Sequence, residues 1–180
     1  MKSRGELAQL FADRGYTRGV EIGVRAGFYS LALCKTIPNL TLYGVDPNLA
    51  YQQRPEYVTQ QELDDAYRQA VAWLSPYPNF TFVKKSSFDA AADFEDGSLD
   101  FIYIDGDHDY EFVSEELRLW GPKVIVGGVI SGHDYDATYG GVIQAVNEYV
   151  AEHGYTLELI PPFGATGDPG DWGTSWYFTK

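Results

Sequence analysis

The chain has 180 residues, of which 44% are hydrophobic and 16% aromatic, enough apolar material for one domain with its own core. Its formal net charge of −13 repels phosphate backbones and anionic lipid headgroups, so neither nucleic acid nor a membrane surface is expected as a partner. No apolar run approaches the ~18 residues of a membrane span, and the N-terminal residues lack a signal-peptide core, so a cytoplasmic location is expected.

Short apolar runs alternate with amphipathic segments, a pattern typical of a mostly parallel sheet that helices cover on both faces. The runs predict seven strands, at residues 18–22, 40–45, 80–83, 100–104, 129–131, 155–160 and 174–179. The last two predict a closing hairpin. The chain is therefore expected to form a single α/β domain over residues 1–180. Its predicted fold is a Rossmann-like three-layer sandwich with a seven-stranded sheet and an antiparallel C-terminal hairpin.

The helices are predicted from caps and apolar spacing. Ser3 and Glu6 form a capping pair before the first helix, and Pro38 ends the second. Thr59 and Glu62 cap the third, whose apolar stripe is Leu63, Tyr67, Ala70, Val71 and Leu74. Further helices are expected over residues 88–94, 110–120 and 142–150.

A glycine-rich turn follows the first strand. Gly23 and Gly27 allow a ligand to approach the backbone and the N-terminus of the next helix. Asp46 ends the second strand about 20 residues later, where an acid can accept both hydroxyls of a ribose. These residues predict an adenosine-ribose site. The alternative is that the two glycines only serve tight turns and Asp46 only caps a loop.

The glycine spacing is Gly-x-x-x-Gly, whereas dinucleotide sites use Gly-x-Gly-x-x-Gly around a pyrophosphate. Glu21 stands just before the first glycine, where a carboxylate would repel a pyrophosphate and attract an ammonium or a sulfonium. The local charge therefore favours a cationic adenosine ligand.

Residues 20–27, Val-Glu-Ile-Gly-Val-Arg-Ala-Gly, resemble the first motif of class I S-adenosylmethionine-dependent methyltransferases, and residues 43–46, Tyr-Gly-Val-Asp, resemble their second. The closing hairpin matches the antiparallel strand of their sheet. The resemblance implies that S-adenosylmethionine is the cofactor and that Glu21, Gly23, Gly27 and Asp46 bind it. By position it also implies that Ser86 and Ser87, after the third strand, contact the adenine.

Acids and histidines follow the fourth and fifth strands. Asp105 and His108 come after the fourth strand, and His133 and Asp134 after the fifth. Because the carboxyl ends of parallel strands share one edge, these four side chains are expected in one cleft. They are suited to general base catalysis, for which Asp105, His108 and His133 are the candidates, or to binding a divalent metal. The alternative is that they only cap loops and form turns.

This cluster resembles the metal site of small O-methyltransferases that act on catechols and macrolide sugars. By position the resemblance implies Asp105, His133 and Asp134 as ligands of a divalent cation such as Mg²⁺ or Mn²⁺. At position 133 this chain has a histidine where that group of enzymes commonly has an aspartate. A histidine ligand suits manganese, iron or zinc better than magnesium. His153 is expected to lie at a helix end, without a chemical role.

The expected activity is transfer of a methyl group to a hydroxyl of a small molecule or sugar. Nicotinamide-dependent oxidation and a non-catalytic adenosine-binding module remain alternatives. The sequence does not identify the acceptor or the oligomeric state. It also does not decide whether the methyl group goes to an oxygen or to a nitrogen atom. The candidates for facing the acceptor are Tyr110, Tyr135, Tyr139, residues 48–57 and a Gly- and Pro-rich loop over residues 161–173 that carries Trp172. This loop is expected to be mobile and to close over the cleft.

Overall fold

A computed structural model describes residues 1, 3–50, 58–162 and 173–180. Most of the two segments predicted to face the acceptor, residues 48–57 and the loop over residues 161–173 with Trp172, lies outside the described residues. Among the residues that the structure describes, no helix combines the length and apolar composition needed to cross a bilayer.

The described residues form one seven-stranded sheet in the order β3-β2-β1-β4-β5-β7-β6. The strands are β1 Arg18–Ile22, β2 Thr41–Val45, β3 Phe80–Val83, β4 Leu99–Ile104, β5 Val124–Gly132, β6 Glu158–Ile160 and β7 Ser175–Thr179. Strands β1 to β5 are parallel, whereas β7 is antiparallel to both β5 and β6. This confirms the predicted sheet with its antiparallel C-terminal strands.

Six helices cover the two faces of the sheet in the described residues. They are α1 Arg4–Asp13, α2 Phe28–Thr36, α3 Gln60–Leu74, α4 Ser87–Ala90, α5 Tyr110–Trp120 and α6 Gly140–His153. Helices α1 to α3 bury Phe11, Leu33 and Leu74 against one face. Helices α4 to α6 bury Ala90, Trp120 and Val146 against the other. The three-layer arrangement is therefore confirmed.

The caps of two helices agree with the sequence. The Ser3 side chain accepts a hydrogen bond from the Glu6 amide at the start of α1. Thr59 and Glu62 form a complete capping box at the start of α3. The apolar stripe of α3 is narrower than predicted, because Ala70 and Leu74 are buried while Val71 lies 41% exposed.

Strand β5 begins five residues earlier than predicted. The sequence predicts the strand from residue 129, directly after Gly127 and Gly128, but both glycines lie inside the strand. Gly127 has φ +84°, and the pairing between β4 and β5 shifts register there. Glycine tolerates this conformation without a steric penalty, so the two glycines form a bulge within a continuous strand.

The order of the strands positions the site. β2 and β3 are added on one side of β1, and the chain then crosses to add β4 on the other side. The strand order therefore reverses at β1. Ligands of parallel α/β sheets bind at such a point, outside the carboxyl ends of the strands. The ends of β1 to β5 carry the residues that the sequence predicted to be functional.

Candidate active site

The turn after β1 is in direct contact with the end of β4. Gly23 has φ +87°, and a Cβ atom placed on it would lie 2.0 Å from the carbonyl oxygen of Asp105. The Gly23 amide donates to the Val45 carbonyl at 2.9 Å, and the Asp105 amide donates to the Ile22 carbonyl at 2.8 Å. Glycine is therefore required at position 23 for both its backbone angle and its close packing, and the ends of three strands form one continuous surface.

Glu21 is a buried acid beneath this turn, with only 2% of its surface exposed. It accepts a hydrogen bond from the Ser30 hydroxyl of α2. Burial raises the pKa of Glu21 to about 8; the Ser30 hydrogen bond opposes that rise and the nearby charge of Asp105 adds to it. The carboxyl group holds its proton at neutral pH, and a cation placed beside it would favour its ionised form.

Helix α2 begins immediately after Gly27, which is in the left-handed region with φ +78°. No side chain caps this helix among the described residues. A Cβ atom on Gly27 would lie 3.1 Å from Ala70 and Leu74 of α3, so the glycine also allows the two helices to pack closely. The uncapped amides of α2 are suited to a carboxylate, and together with Glu21 they fit the two charges of an amino acid.

Asp46, at the end of β2, organises the loops around it. Its Oδ2 atom accepts from the Val24 and Arg25 amides at 3.0 and 2.9 Å, and its Oδ1 atom accepts from the Asn48 amide at 2.8 Å. A carboxylate offers about four acceptor positions, so one remains beside these three bonds. Asp46 thus caps the glycine turn and holds it in shape, which is the alternative to ribose binding that the sequence left open.

The two serines after β3 make bonds within the protein. The Ser86 hydroxyl caps α4, since it accepts from the Asp89 amide at 3.1 Å and donates to the Asp89 carboxylate at 2.7 Å. The Ser87 hydroxyl donates to Glu116 Oε1 at 2.6 Å. Both hydroxyls are therefore bonded to acids of the protein, and the adenine contact of these serines stays a prediction.

The acid and histidine side chains that follow β4 and β5 converge, as the sequence predicted. His108 Nε2 lies 2.9 Å from Asp134 Oδ2, and His133 Nδ1 lies 3.1 Å from Asp134 Oδ1. His133 Nδ1 is also 3.9 Å from Asp105 Oδ1. Asp134 therefore lies between two imidazole rings. Its backbone has φ +58°, unusual for a residue with a side chain.

The charges of this cluster shift its pKa values in opposite directions. Burial raises the pKa of Asp105 to about 6, against the attraction of His133. Burial is the largest single effect on Asp134 and on His108 and opposes their charged forms. The hydrogen bonds and opposite charges of the cluster together outweigh it, so the pKa of Asp134 is lowered and that of His108 is raised. Asp134 is therefore a carboxylate, His108 holds a proton more tightly than a free imidazole does, and Asp105 is the more basic of the two carboxyl groups.

The geometry of the cluster fits a divalent cation. Ligand atoms of Asp105, His108 and Asp134 lie within 4.8 Å of one another. Ligands that share one ion with bonds of about 2 Å lie within about 4 Å of each other, so a small adjustment would suffice. In this group His108 stands in the place that the sequence assigned to His133.

One of the three aromatic candidates that the structure describes lies beside the cluster. The Tyr139 ring lies 4.2 Å from the His108 ring, centroid to centroid. Tyr135 donates its hydroxyl to Asn147 at 2.9 Å. Tyr110, the third candidate, donates to Glu148 at 2.6 Å and begins α5. Of the three, only Tyr139 has a ring contact with a member of the cluster.

Arg4 was not identified from the sequence. Its Nη1 atom lies 3.8 Å from Asp105 Oδ2, and its guanidinium lies over the Tyr29 ring at 5.4 Å from the centroid. α1 thus contributes a positive charge to the acidic cluster. No signal in the sequence points to this role, because Arg4 lies 101 positions before its partner in a helix that resembles an ordinary surface helix.

Glu116 of α5 was also missed, although a signal exists. The apolar stripe of α5 is Val113, Leu117 and Trp120, and Glu116 stands on the same face one residue before Leu117. An acid within an apolar stripe is unusual in a helix that covers a sheet. In the structure Glu116 is 2% exposed.

A family model described as a methyltransferase domain matches residues 20–135. The chain belongs to this methyltransferase family. The match confirms the class that the motifs implied, a class I S-adenosylmethionine-dependent methyltransferase, and with it the predicted cofactor. It does not support the nicotinamide-dependent alternative.

A curated relative, the uncharacterised protein y4gI of Sinorhizobium fredii, is 27% identical over 140 residues. The alignment covers 75% of this methyltransferase chain and 15% of the relative, so the chain spans about one seventh of that protein's length.

Several solved structures share the fold. The O-methyltransferase from Bacillus cereus in complex with SAH has a TM-score of 0.69 at 16% identity, over 98% of this chain and 80% of that chain. The rRNA methylase from Streptococcus thermophilus has a TM-score of 0.66 at 14% identity, over 98% and 93%. The precorrin 8w decarboxylase from Methanobacterium thermoautotrophicum has a TM-score of 0.67 at 16% identity, over 98% and 89%. At these identities the likeness establishes the fold alone.

Proposed function

We propose that this methyltransferase transfers the methyl group of S-adenosylmethionine to a hydroxyl of a small molecule, with the help of a divalent cation. The observation that carries the proposal is the direct contact between two halves of the site. The glycine turn that suits the cofactor packs against the backbone of Asp105, which begins the acid and histidine cluster. A methyl donor on the turn and a hydroxyl at the cluster would therefore be neighbours.

The residues of the first half match the charges of the cofactor. Glu21 would bind the ammonium of the amino acid portion, the uncapped N-terminus of α2 would bind its carboxylate, and Asp46 has one acceptor position for a ribose hydroxyl. S-adenosylmethionine, when bound, supplies a methyl group on a positively charged sulfur. Ionisation of Glu21 beside a positive ligand would release the proton that burial retains in the free protein.

The residues of the second half would activate the acceptor. Asp105, His108 and Asp134 would hold the cation, and His133 would keep Asp134 in place through its bond at 3.1 Å. Two carboxylates with one imidazole suit Mn²⁺ or Fe²⁺ better than Mg²⁺, which prefers oxygen alone. A cation at this point would lower the pKa of a coordinated hydroxyl. Without a cation, Asp105 would be the base, since its pKa of about 6 makes it more basic than an ordinary aspartate.

The charge of the cleft favours a small, uncharged acceptor. Asp107, Asp109 and Asp136 lie in the same two loops as the cluster, and the whole chain carries a net charge of −13. A polyanion such as RNA would be repelled by this field. Small hydroxylated compounds, among them catechols and sugars, are the proposed acceptor class.

Titration calorimetry tests the cofactor half. S-adenosylhomocysteine and S-adenosylmethionine should bind, and NAD should not. Binding of NAD without binding of S-adenosylhomocysteine would contradict the proposal.

An activity assay tests the second half. The purified protein is incubated with S-adenosylmethionine, Mn²⁺ and a panel of catechols, sugars and a structured RNA, and release of S-adenosylhomocysteine is measured. We expect turnover with a hydroxylated small molecule and its loss in a chelator. Turnover with the RNA alone would contradict the proposed acceptor class, and full turnover in the chelator would contradict the role of the cation.

A further inference from the structure

The entry segment of β7, residues 173–176, lies along the loop that follows β5. The Tyr135 amide donates to the Thr174 carbonyl at 2.9 Å. The Trp176 indole N–H donates to the His133 carbonyl at 3.1 Å. These two bonds lie on either side of the residue between positions 133 and 135. The entry segment therefore holds the backbone of the loop that carries part of the acid and histidine cluster.

Gly173, the first residue of the entry segment, is buried and packs against the cluster itself. A Cβ atom on Gly173 would lie 2.7 Å from Asp134 Oδ1 and 2.7 Å from His133 Cε1. It would also lie 3.2 Å from His133 Nδ1, the atom that lies 3.1 Å from Asp134 Oδ1. Because non-bonded carbon atoms are in contact at about 3.5–4.0 Å, a side chain at position 173 would push these two groups aside.

The crowding at Gly173 differs from that at Gly23. A Cβ atom on Gly23 would meet the backbone of Asp105, whereas one on Gly173 would meet the ends of two side chains. The end of a side chain can move by rotation about its χ angles, but a backbone carbonyl inside a sheet cannot. Alanine at position 173 should therefore cost less stability than alanine at position 23, and its main effect should fall on the geometry of the cluster.

We propose that Gly173 is a positioning residue of the cation site. Because it has no side chain, the entry segment covers His133 and Asp134 without breaking the bond between them. This role rests on the proposed function, in which Asp134 binds the cation. The His133 bond fixes Oδ1 of Asp134 and so sets the direction of Oδ2, which lies 2.9 Å from His108 Nε2. A group that orients a metal ligand in this way commonly changes metal affinity by about 10- to 100-fold.

Calorimetry with Mn²⁺ and the metal-free protein gives the first test. Gly173→Ala should weaken Mn²⁺ binding by about tenfold or more, since the group that orients Asp134 is displaced. Binding of S-adenosylhomocysteine should change by less than about twofold, because the cofactor half lies at the ends of β1 and β2. Gly140→Ala is the matched control. Its Cβ atom would meet no other group, so both affinities should keep their native values.

Nitrogen NMR of the histidine rings gives a second readout that needs neither metal nor activity. The spectrum shows which ring nitrogen carries a proton and whether that proton is hydrogen-bonded. In the native protein His133 Nδ1 should show a proton bonded to a carboxylate. In Gly173→Ala this signal should change, whereas the signals of His153, at the C-terminal end of α6, should keep their native positions.

A double variant tests the route by which Gly173 acts. His133→Ala removes the bond to Asp134 and leaves space into which that carboxylate can move. Adding Gly173→Ala to His133→Ala should therefore weaken Mn²⁺ binding by less than about twofold more. If the double variant shows the full product of the two single losses, Gly173 does not act through the His133 bond and the proposal is wrong.

Further results would also overturn the role of Gly173. Native Mn²⁺ affinity in Gly173→Ala would show that the cation site does not depend on the glycine. Native His133 signals in this variant would show that the pair tolerates a side chain. Equal weakening of Mn²⁺ and S-adenosylhomocysteine would indicate a general loss of structure. A native protein that binds no Mn²⁺ would instead contradict the proposed cation, and the His133 signals would still decide whether Gly173 positions the pair.

Discussion

The substitution Glu21→Gln should stabilise the free protein at neutral pH while weakening its binding of the cofactor. Glu21 is 2% exposed, and its pKa in the folded protein is about 8 against an ordinary value of 4.5. The folded protein therefore keeps a proton that the unfolded chain releases as the pH rises above 4.5. The free energy of unfolding should fall as the pH rises from 4.5 towards 8, since the folded state binds more protons there.

The size of this effect follows from the two pKa values. Each unit of pH between them costs about 1.4 kcal/mol, so the native protein should lose about 3 kcal/mol by neutral pH. Glutamine has nearly the same shape, can accept the Ser30 hydrogen bond and does not titrate. The two proteins should therefore have similar stability near pH 4.5. Near pH 8 the glutamine variant should be more stable by a few kcal/mol.

Urea unfolding across this pH range measures the difference. The exposed Glu95 provides a matched control, because Glu95→Gln removes a charge without removing a buried group. The free energy of unfolding of this control variant should change with pH in the same way as that of the native protein. If the free energy of unfolding of Glu21→Gln also follows the native pH dependence, Glu21 does not hold a proton in the folded state and the reasoning is wrong. The loss of cofactor affinity is measured separately by calorimetry and should be about tenfold or more, as a charged hydrogen-bond partner is removed.

Three further changes test other parts of the site. Gly23→Ala should destabilise the protein by more than about 2 kcal/mol in denaturant titrations, because its Cβ would lie 2.0 Å from the Asp105 carbonyl oxygen; a stability equal to the native protein's would refute the close contact. Asp46→Asn should weaken S-adenosylhomocysteine binding by about ten- to a hundredfold in calorimetry; an unchanged affinity would exclude the ribose contact. Asp134→Asn should weaken Mn²⁺ binding at least about tenfold, whereas Asp136→Asn, in the same loop, should not; equal effects of the two would show that the cation is held only by the general negative charge.

Local spacing was sufficient to predict most of the fold. Residues 18–22 form β1 as expected, and the capping box of Thr59 and Glu62 begins α3. These features depend on residues a few positions apart, whose apolar periodicity and hydrogen bonding the sequence displays directly. The boundary of β5 was wrong because Gly127 suits a bulge and a strand end equally well, and only the pairing with β4 distinguishes them.

The sequence also predicted which strand ends carry the candidate site. Parallel strands place their carboxyl ends at one edge, so Glu21, Asp46, Asp105 and Asp134 could be assigned to a common site from their order in the chain. What the sequence did not determine is which side chains within that edge meet. Whether His108 or His133 completes a group with Asp105 and Asp134 depends on the directions in which loop side chains point.

Only the tertiary structure brought Arg4 to Asp105 and Glu116 to Ser87. Both pairs join residues far apart in the chain, and both depend on how a helix docks against the sheet rather than on its own periodicity. The tertiary structure also sets the ionisation of the buried acids, because the removal of water on burial raises the pKa of Glu21 and Glu116. The sequence shows that an acid is present, but the packing around it sets the charge it carries.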